Sequence, residues 1–283
     1  MSLLLLVDLD GVVYRGTDPV PGVAAVLSDR AARGDDVVYV TNNSMHYRAE
    51  YQTRLAAMGA PVTPDTVVSS ARATALYLRE YDPGIRRILV LGAGGLEREL
   101  RDVGYDVVGA AHAATRVSQE GIDGFAAAGH PDAVVVGLDT NLTYMRLAVA
   151  ADCVRAGARF IATNRDPAYP TERGLRPGAG SLVAAVEAAT GVVPVSIGKP
   201  APYLLVAAAQ TVGREASEAI MIGDGIGTDL AAARAVGARC VFMLTGVTTR
   251  AQLEALPPDE QPTAVAADAD ELAAALERLT GGT

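Results

Sequence analysis

The chain alternates short apolar runs with longer segments in which apolar residues recur at helical spacing. Apolar runs of this length, bounded by turn residues, are typical of buried strands, and their alternation with helical segments favours a parallel sheet flanked by helices. The pattern therefore predicts an α/β protein. Strands are predicted at residues 3–7, 37–40, 88–91, 133–136, 159–162, 219–222 and 239–244.

Polar residues cluster where several of these predicted strands end. Asp8 and Asp10 follow the first, and further polar loops occupy residues 41–44, 163–166 and 223–229. Ligands of open α/β sheets bind at the carboxyl ends of strands, so these loops are where we expect a site.

An inserted domain is predicted in the middle of the chain. The Asp-Pro-Gly break at 82–84 and the return at 191–194 bracket a segment with its own strand and helix patterns. We expect residues 1–79 and 195–283 to form one domain and residues 80–194 to form the insert.

Composition and charge narrow the function classes. The 283 residues are 50% hydrophobic and 20% charged with a formal charge of −9, which describes an acidic globular protein and disfavours a nucleic-acid partner. The N-terminal run SLLLLV is too short for a signal peptide or membrane span, so we expect the cytoplasm. Cys153 and Cys240 resemble small buried hydrophobic residues more than a disulfide or metal pair.

The stretch DLDGVVYRG places Asp8 and Asp10 two residues apart at a strand end. Residues i and i+2 of an extended chain point to the same side, so the two carboxylates could share a hard cation such as Mg²⁺. The alternative is that they cap a turn. An EF-hand is a poor fit because its ligand spacing is missing.

Two other loops carry candidate chemistry. Thr41 and Asn42 begin TNNS, whose neutral donors suit phosphate oxygens or a helix N-cap. Asp224 and Asp229 lie in IGDGIGTDL, where a turn with a helix cap is the alternative. Lys199 in VSIGKP is the single lysine in a chain that otherwise uses arginine. This suggests a place where a compact ammonium is needed and the wider, planar guanidinium of arginine does not fit.

Taken in order, these motifs resemble those of the haloacid dehalogenase superfamily of phosphohydrolases. Asp8 and Asp10 match its first motif, Thr41 and Asn42 its second, Lys199 its third, and Asp224 with Asp229 its fourth. DLDGVVYRG, VTNNS, ATNRDPAYPTERGLRPGAGSL and GKPAPYLL are most similar to the branch with a large α/β cap between the second and third motifs. That branch includes nagD-type sugar-phosphate and nucleotide phosphatases and the 4-nitrophenyl, phosphoglycolate, glycerol 3-phosphate and pyridoxal phosphate phosphatases.

The resemblance implies a Rossmann-like catalytic core, an aspartyl-phosphate mechanism and a role for each residue. Asp8 would be the nucleophile and Asp10 the general acid and base. Mg²⁺ would be held by Asp8, the backbone carbonyl of Asp10 and Asp224, with Asp229 orienting the loop or Lys199. Phosphoryl oxygens would be bound by Gly11, Thr41, Asn42 and Lys199. Gly225, and Met45 with His46, depart from the branch's usual residues.

The resemblance also implies a small phosphorylated metabolite as substrate, with discrimination in the insert. Arg165, Glu172 and Arg173 are candidates to touch the leaving group, or they are surface charges. A homo-oligomer, such as a dimer through the cap, is a further expectation. The alternatives are a phosphotransferase or mutase, a non-catalytic phosphate-binding regulator, and an NAD-dependent oxidoreductase suggested by the partial fingerprint LGAGGLE.

Overall fold

The computed structural model describes residues 2–127, 129–171 and 174–281 and divides into two compact units. The first contains Met1–Thr41, Ala49–Val68 and Lys199–Thr283, and the second contains Asn42–Arg48 and Ser69–Gly198. The predicted insert, residues 80–194, lies within the second unit. No helix among the described residues has the length and apolar character needed to cross a membrane.

The first unit is built on a six-stranded sheet in the order β15-β14-β13-β1-β4-β5. The central strand β1 pairs in parallel with β13 on one side and β4 on the other, and β13–β14 and β14–β15 are also parallel. A short antiparallel hairpin, β2–β3, follows β1. The strands are β1 Leu4–Asp8, β2 Tyr14–Arg15, β3 Asp18–Pro19, β4 Asp36–Thr41, β5 Val67–Ser69, β13 Ala219–Gly223, β14 Arg239–Met243 and β15 Ala264–Ala266.

Helices α1, α2, α8, α9, α10 and α11 accompany this sheet. Every residue of β1 is buried, as expected for the centre of a sheet covered on both faces. Leu5 and Val7 of β1 belong to the same hydrophobic core cluster as Leu27 of α1, Leu55 of α2 and Leu272 of α11. The helices are α1 Val23–Ala32, α2 Arg48–Ala57, α8 Tyr203–Gln210, α9 Ala231–Val236, α10 Arg250–Glu254 and α11 Ala269–Gly281.

The second unit has its own parallel sheet of five strands in the order β12-β9-β8-β6-β7. An antiparallel hairpin, β10–β11, follows β9. The strands are β6 Arg87–Leu91, β7 Asp106–Gly109, β8 Ala133–Val136, β9 Arg159–Ala162, β10 Ala168–Thr171, β11 Gly174–Pro177 and β12 Val195–Ser196. The helices are α3 Ser70–Tyr81, α4 Gly94–Asp102, α5 Ala110–Ala127, α6 Tyr144–Arg155 and α7 Ala179–Thr190.

The glycine-rich stretch LGAGGLE has a packing role in this second sheet. Strands β6 and β8 are neighbours whose chains continue in opposite directions across the sheet, which creates a crevice at their carboxyl ends. A Cβ on Gly95, after β6, would collide with the carbonyl of Met45, and one on Gly137, after β8, would lie 2.7 Å from Ser44 Oγ. The chain's own residues fill this crevice, so the interpretation of LGAGGLE as a dinucleotide site is wrong.

Candidate active site

Three neighbouring strands of the first unit bring the sequence motifs to one edge of its sheet. In register, Val7 of β1 lies opposite Ile222 of β13, and Asp8 lies opposite Val40 of β4. Parallel strands present their carboxyl ends at the same edge. Thr41, the last residue of β4, and Asp224, which directly follows β13, therefore lie at the same edge as Asp8.

Lys199 joins two of the aspartates in a buried ion-pair cluster. Its Nζ donates to Asp8 Oδ1 at 2.7 Å and to Asp229 Oδ1 at 2.6 Å. The exposed fractions of the three side chains are 3% for Lys199, 12% for Asp8 and 1% for Asp229. The single lysine of the chain therefore lies at the centre of the site and not on the surface.

Both carboxylate oxygens of Asp229 accept hydrogen bonds within the protein. Its Oδ2 accepts the backbone N–H groups of Asp224 at 3.2 Å and Gly225 at 3.0 Å, while Oδ1 accepts from Lys199. With donors on both oxygens, Asp229 connects the loop that carries Asp224 to the lysine.

A turn of π-helix at Ile226–Leu230 gives Asp229 this position. The Leu230 N–H donates to the Gly225 carbonyl five residues earlier, at 3.0 Å. Such turns contain one extra residue and are frequent at functional sites. A Cβ on Gly225 would collide with Thr228 Oγ1, so this departure from the family pattern is matched by a side chain that fills the space.

The charges of the cluster shift the pKa of each group. Burial, and next the Asp229 carboxylate, raise the pKa of Asp8 well above its usual range, with Lys199 opposing. Burial and Asp229 likewise raise the pKa of Asp224 to about 6. Burial alone would lower the pKa of Lys199, but Asp229 and Asp8 outweigh it, and the pKa of the ammonium is raised.

Ligand oxygens of Asp8, Asp224 and Asp229 all lie within 4.8 Å of one another. Three carboxylates face one ammonium, so two negative charges are uncompensated when all three are ionised. Oxygen ligands with this excess charge fit a hard divalent cation such as Mg²⁺. Because both Asp229 oxygens already accept hydrogen bonds, Asp8 and Asp224 are better suited to coordinate it.

The strand premise for the first motif needs correction. Strand β1 ends at Asp8 and the chain then turns, with the Val13 N–H donating to Leu9 O, so Asp10 lies outside the strand and the alternation of strand side chains does not extend to it. The Asp10 side chain is exposed, and the close carboxylates are those of the fourth motif.

Gly11 was expected to donate its N–H to phosphate, but that N–H donates to Tyr14 O at 2.8 Å. The need for glycine here is steric. Its φ is +84°, and a Cβ would collide with Asp224 Oδ2.

The second motif is divided between the units. Thr41 is buried at the end of β4 in the first unit, whereas Asn42 belongs to the second. Asn42 Nδ2 donates to Asp166 Oδ2 at 2.9 Å, and its carbonyl accepts from Ser70 Oγ and from Asn164 Nδ2. One amide hydrogen of Asn42 is thus already engaged within the second unit.

Of the predicted specificity residues, Arg165 lies shortly before β10. Arg165 Nη2 forms an ion pair with Glu187 Oε2 at 2.5 Å, and its side chain is 43% exposed. Glu172 and Arg173 lie outside the described residues.

The loop after β14 belongs to the same site, although no sequence motif singled it out. Thr245 Oγ1 donates to Gly11 O at 2.6 Å, and Thr248 Oγ1 donates to Asp224 O at 2.8 Å. The signal was present, because polar residues directly follow the predicted strand 239–244, as they do in the other loops of the site.

Comparison with known proteins agrees with this geometry. A family model described as haloacid dehalogenase-like hydrolase matches residues 5–106, and a HAD-hydrolase-like model matches residues 196–272. An acid sugar phosphatase from Staphylococcus aureus (strain USA300) is 38% identical over 244 residues, which cover 86% of this chain and 87% of that protein.

Solved structures show the same similarity over the whole fold. A p-nitrophenyl phosphatase from Archaeoglobus fulgidus superposes with a TM-score of 0.83 at 28% identity, covering 97% of this chain and 99% of that one. A glycerol phosphate phosphatase from Mycobacterium tuberculosis, solved in complex with magnesium, has a TM-score of 0.80 at 36% identity, covering 95% of this chain and 75% of that one.

Proposed function

Since the chain belongs to the haloacid dehalogenase-like hydrolases, we propose that it hydrolyses phosphate monoesters of small metabolites with Asp8 as the nucleophile. The observation that carries the proposal is the contact of Lys199 with both Asp8 and Asp229 beside Asp224. The ammonium of Lys199 holds the buried Asp8 carboxylate in a fixed orientation. It also supplies the positive charge that lets the anionic phosphate ester approach this carboxylate.

We propose Mg²⁺ as the cofactor, held by the Asp8 and Asp224 carboxylates and the backbone carbonyl of Asp10. When bound, the cation would neutralise the excess negative charge of the site and stabilise charge on the transferring phosphoryl group. Asp229 would act indirectly by fixing Lys199 and the Asp224 loop, because its own oxygens are engaged.

In the proposed reaction an oxygen of Asp8 attacks phosphorus and the ester oxygen departs, which forms an aspartyl-phosphate. Asp10 gives its proton to the departing alkoxide and later takes one from the water that attacks the aspartyl-phosphate, releasing phosphate and restoring Asp8. The exposed Asp10 carboxyl suits contact with the leaving group and water. Lys199, Thr41 and Asn42 would donate to the phosphoryl oxygens.

We propose that residues 1–79 and 195–283 form the catalytic core and that residues 80–194, as a cap, select the substrate. Arg165 at the base of the β10–β11 hairpin is a candidate contact, although its pairing with Glu187 also suits a surface role. A cytoplasmic location and a homo-oligomer formed through the cap belong to the same proposal.

The test is phosphate release from a panel of esters with Mg²⁺ or with excess EDTA. The panel comprises phosphoglycolate, glycerol 3-phosphate, sugar phosphates, nucleoside monophosphates, pyridoxal phosphate and 4-nitrophenyl phosphate. We expect Mg²⁺-dependent turnover of at least one ester, and undiminished activity in EDTA would contradict the metal assignment.

The nucleophile is tested with Asp8→Asn, freshly purified and checked for deamidation. A carboxamide is a poor nucleophile, so we expect turnover to be abolished while the far-ultraviolet circular dichroism stays unchanged. Asp18→Asn, at an exposed aspartate of the nearby β3, is the matched control and should retain wild-type turnover. Near wild-type turnover in Asp8→Asn would contradict the mechanism.

A further inference from the structure

The loop of residues 245–248 that follows β14 contacts the two segments of the carboxylate site that follow β1 and β13. Thr245 Oγ1 donates to the carbonyl of Gly11, and Thr248 Oγ1 donates to the carbonyl of Asp224. Between them, the backbone N–H of Val247 bonds the Asp224 carboxylate. Four consecutive residues thus approach the two segments that carry the proposed metal ligands.

Asp224 Oδ2 lies in a notch formed by two glycines. A Cβ on Gly11 or on Gly246 would collide with this oxygen, so neither position can accept a side chain without moving Asp224. The carboxylate is therefore located by the backbones of the loops after β1 and β14, and not only by its own loop. A displacement of either backbone would displace the oxygen.

We propose that Thr245 and Thr248 are positioning residues that hold the loop after Asp8 and the Asp224 carboxylate at the separation that cation binding requires. This inference rests on the proposed function. Thr245 is buried, so its hydroxyl and the Gly11 carbonyl depend on each other as partners. Thr248 holds the main chain of Asp224, and Thr245 holds that of Gly11, which is next to the Asp10 carbonyl. Removing a group that keeps a metal ligand in place typically costs about 10- to 100-fold in metal affinity or activity.

The experiment compares wild type with valine, alanine and serine at each position. Valine preserves the shape of threonine without its hydroxyl, alanine covers the case in which a valine variant does not fold, and serine restores the hydroxyl. Thr211→Val is the control, because Thr211 Oγ1 donates to Ala208 O at 2.7 Å in the same unit, at the end of α8. Mg²⁺ affinity is measured by isothermal titration calorimetry without substrate, alongside kcat, KM and Tm.

We expect the valine and alanine variants at Thr248 and Thr245 to weaken Mg²⁺ binding by about tenfold or more. Their kcat should fall with little change in KM, because the cation site is displaced and the substrate-selecting unit is not. Serine should recover most of the Mg²⁺ affinity. Thr211→Val should keep wild-type Mg²⁺ affinity even if its Tm falls.

Wild-type Mg²⁺ affinity and kcat in the valine and alanine variants would overturn this inference while leaving the proposed function in place. An equal loss of Mg²⁺ affinity in Thr211→Val would also overturn this inference, because the loss would then reflect general destabilisation of the unit. A wild-type protein that neither binds Mg²⁺ nor releases phosphate would overturn the proposed function, and the inference with it.

Discussion

Replacing Lys199 with methionine should destabilise the protein strongly at pH 8 in EDTA. Methionine has a similar length but no charge, so Asp8 and Asp229 would lose a donor that lies 2.7 and 2.6 Å from their oxygens. Removing one partner of a buried ion pair costs about 3–5 kcal/mol because the other partner remains buried and uncompensated. We expect a loss of this size in the free energy of unfolding.

The loss should shrink at pH 5. The folded-state pKa values of Asp8 and Asp224 are already raised, the latter to about 6, and loss of the ammonium would raise them further. A carboxyl group with a raised pKa stabilises the fold at low pH and loses that contribution as pH rises through the folded value. Lys199, whose pKa is also raised, stays charged in wild type at both pH values. The deficit of the variant therefore grows from pH 5 to pH 8.

Urea unfolding followed by circular dichroism at the two pH values measures this difference. Arg33→Met is the control, because Arg33 pairs with Glu277 through side chains that are 57% and 54% exposed. Exposed pairs contribute at most about 1 kcal/mol. A loss below about 1 kcal/mol in Lys199→Met at pH 8, or an equal loss at both pH values, would refute the charge argument.

Three further substitutions test separate features of the structure. Lys199→Arg keeps the charge but displaces Asp8 or the phosphoryl group, so kcat should fall roughly a hundredfold with little change in Tm; wild-type kinetics on a chemistry-limited substrate would contradict this. Gly11→Ala should lower kcat and reduce the free energy of unfolding by about 1–2 kcal/mol, because φ is +84° and the new Cβ meets Asp224. Urea unfolding and a rate assay test this, and unchanged values would contradict it by showing that the loop relaxes freely. Tyr39→Phe removes a buried hydroxyl that has no hydrogen-bond partner among the described residues, so the free energy of unfolding should stay unchanged or rise by up to about 1 kcal/mol. A clear decrease in the same urea experiment would show that the hydroxyl has a partner.

The strands were predictable because burial on both faces of a sheet requires a continuous run of apolar residues, which is visible in the sequence. The apolar runs at 37–40 and 133–136 correspond to β4 and β8, and all seven predicted strands are confirmed to within one residue at each end. The missed strands include β5, with three residues, and β12, with two. Segments this short have no periodicity of their own and become strands only because a neighbour is already in place.

The site was predictable by residue type and less so by geometry. The order of the motifs identified Asp8, Lys199, Asp224 and Asp229 as candidates, which the structure brings together. Strand alternation could not place Asp10, because the strand ends at Asp8. Contacts such as Asn42 with Asp166 join residues far apart in the chain, and no local pattern encodes them.

The division of the chain between units has a consequence for the order of events during synthesis. Strand β1 can pair with β4 within the first segment, but its other neighbour, β13, begins only at Ala219. The second unit ends at Gly198, so all its residues emerge from the ribosome earlier. We therefore expect the nascent chain to carry a folded second unit while Asp8 still lies on an incomplete sheet, whose closure over a long sequence separation is the slow step.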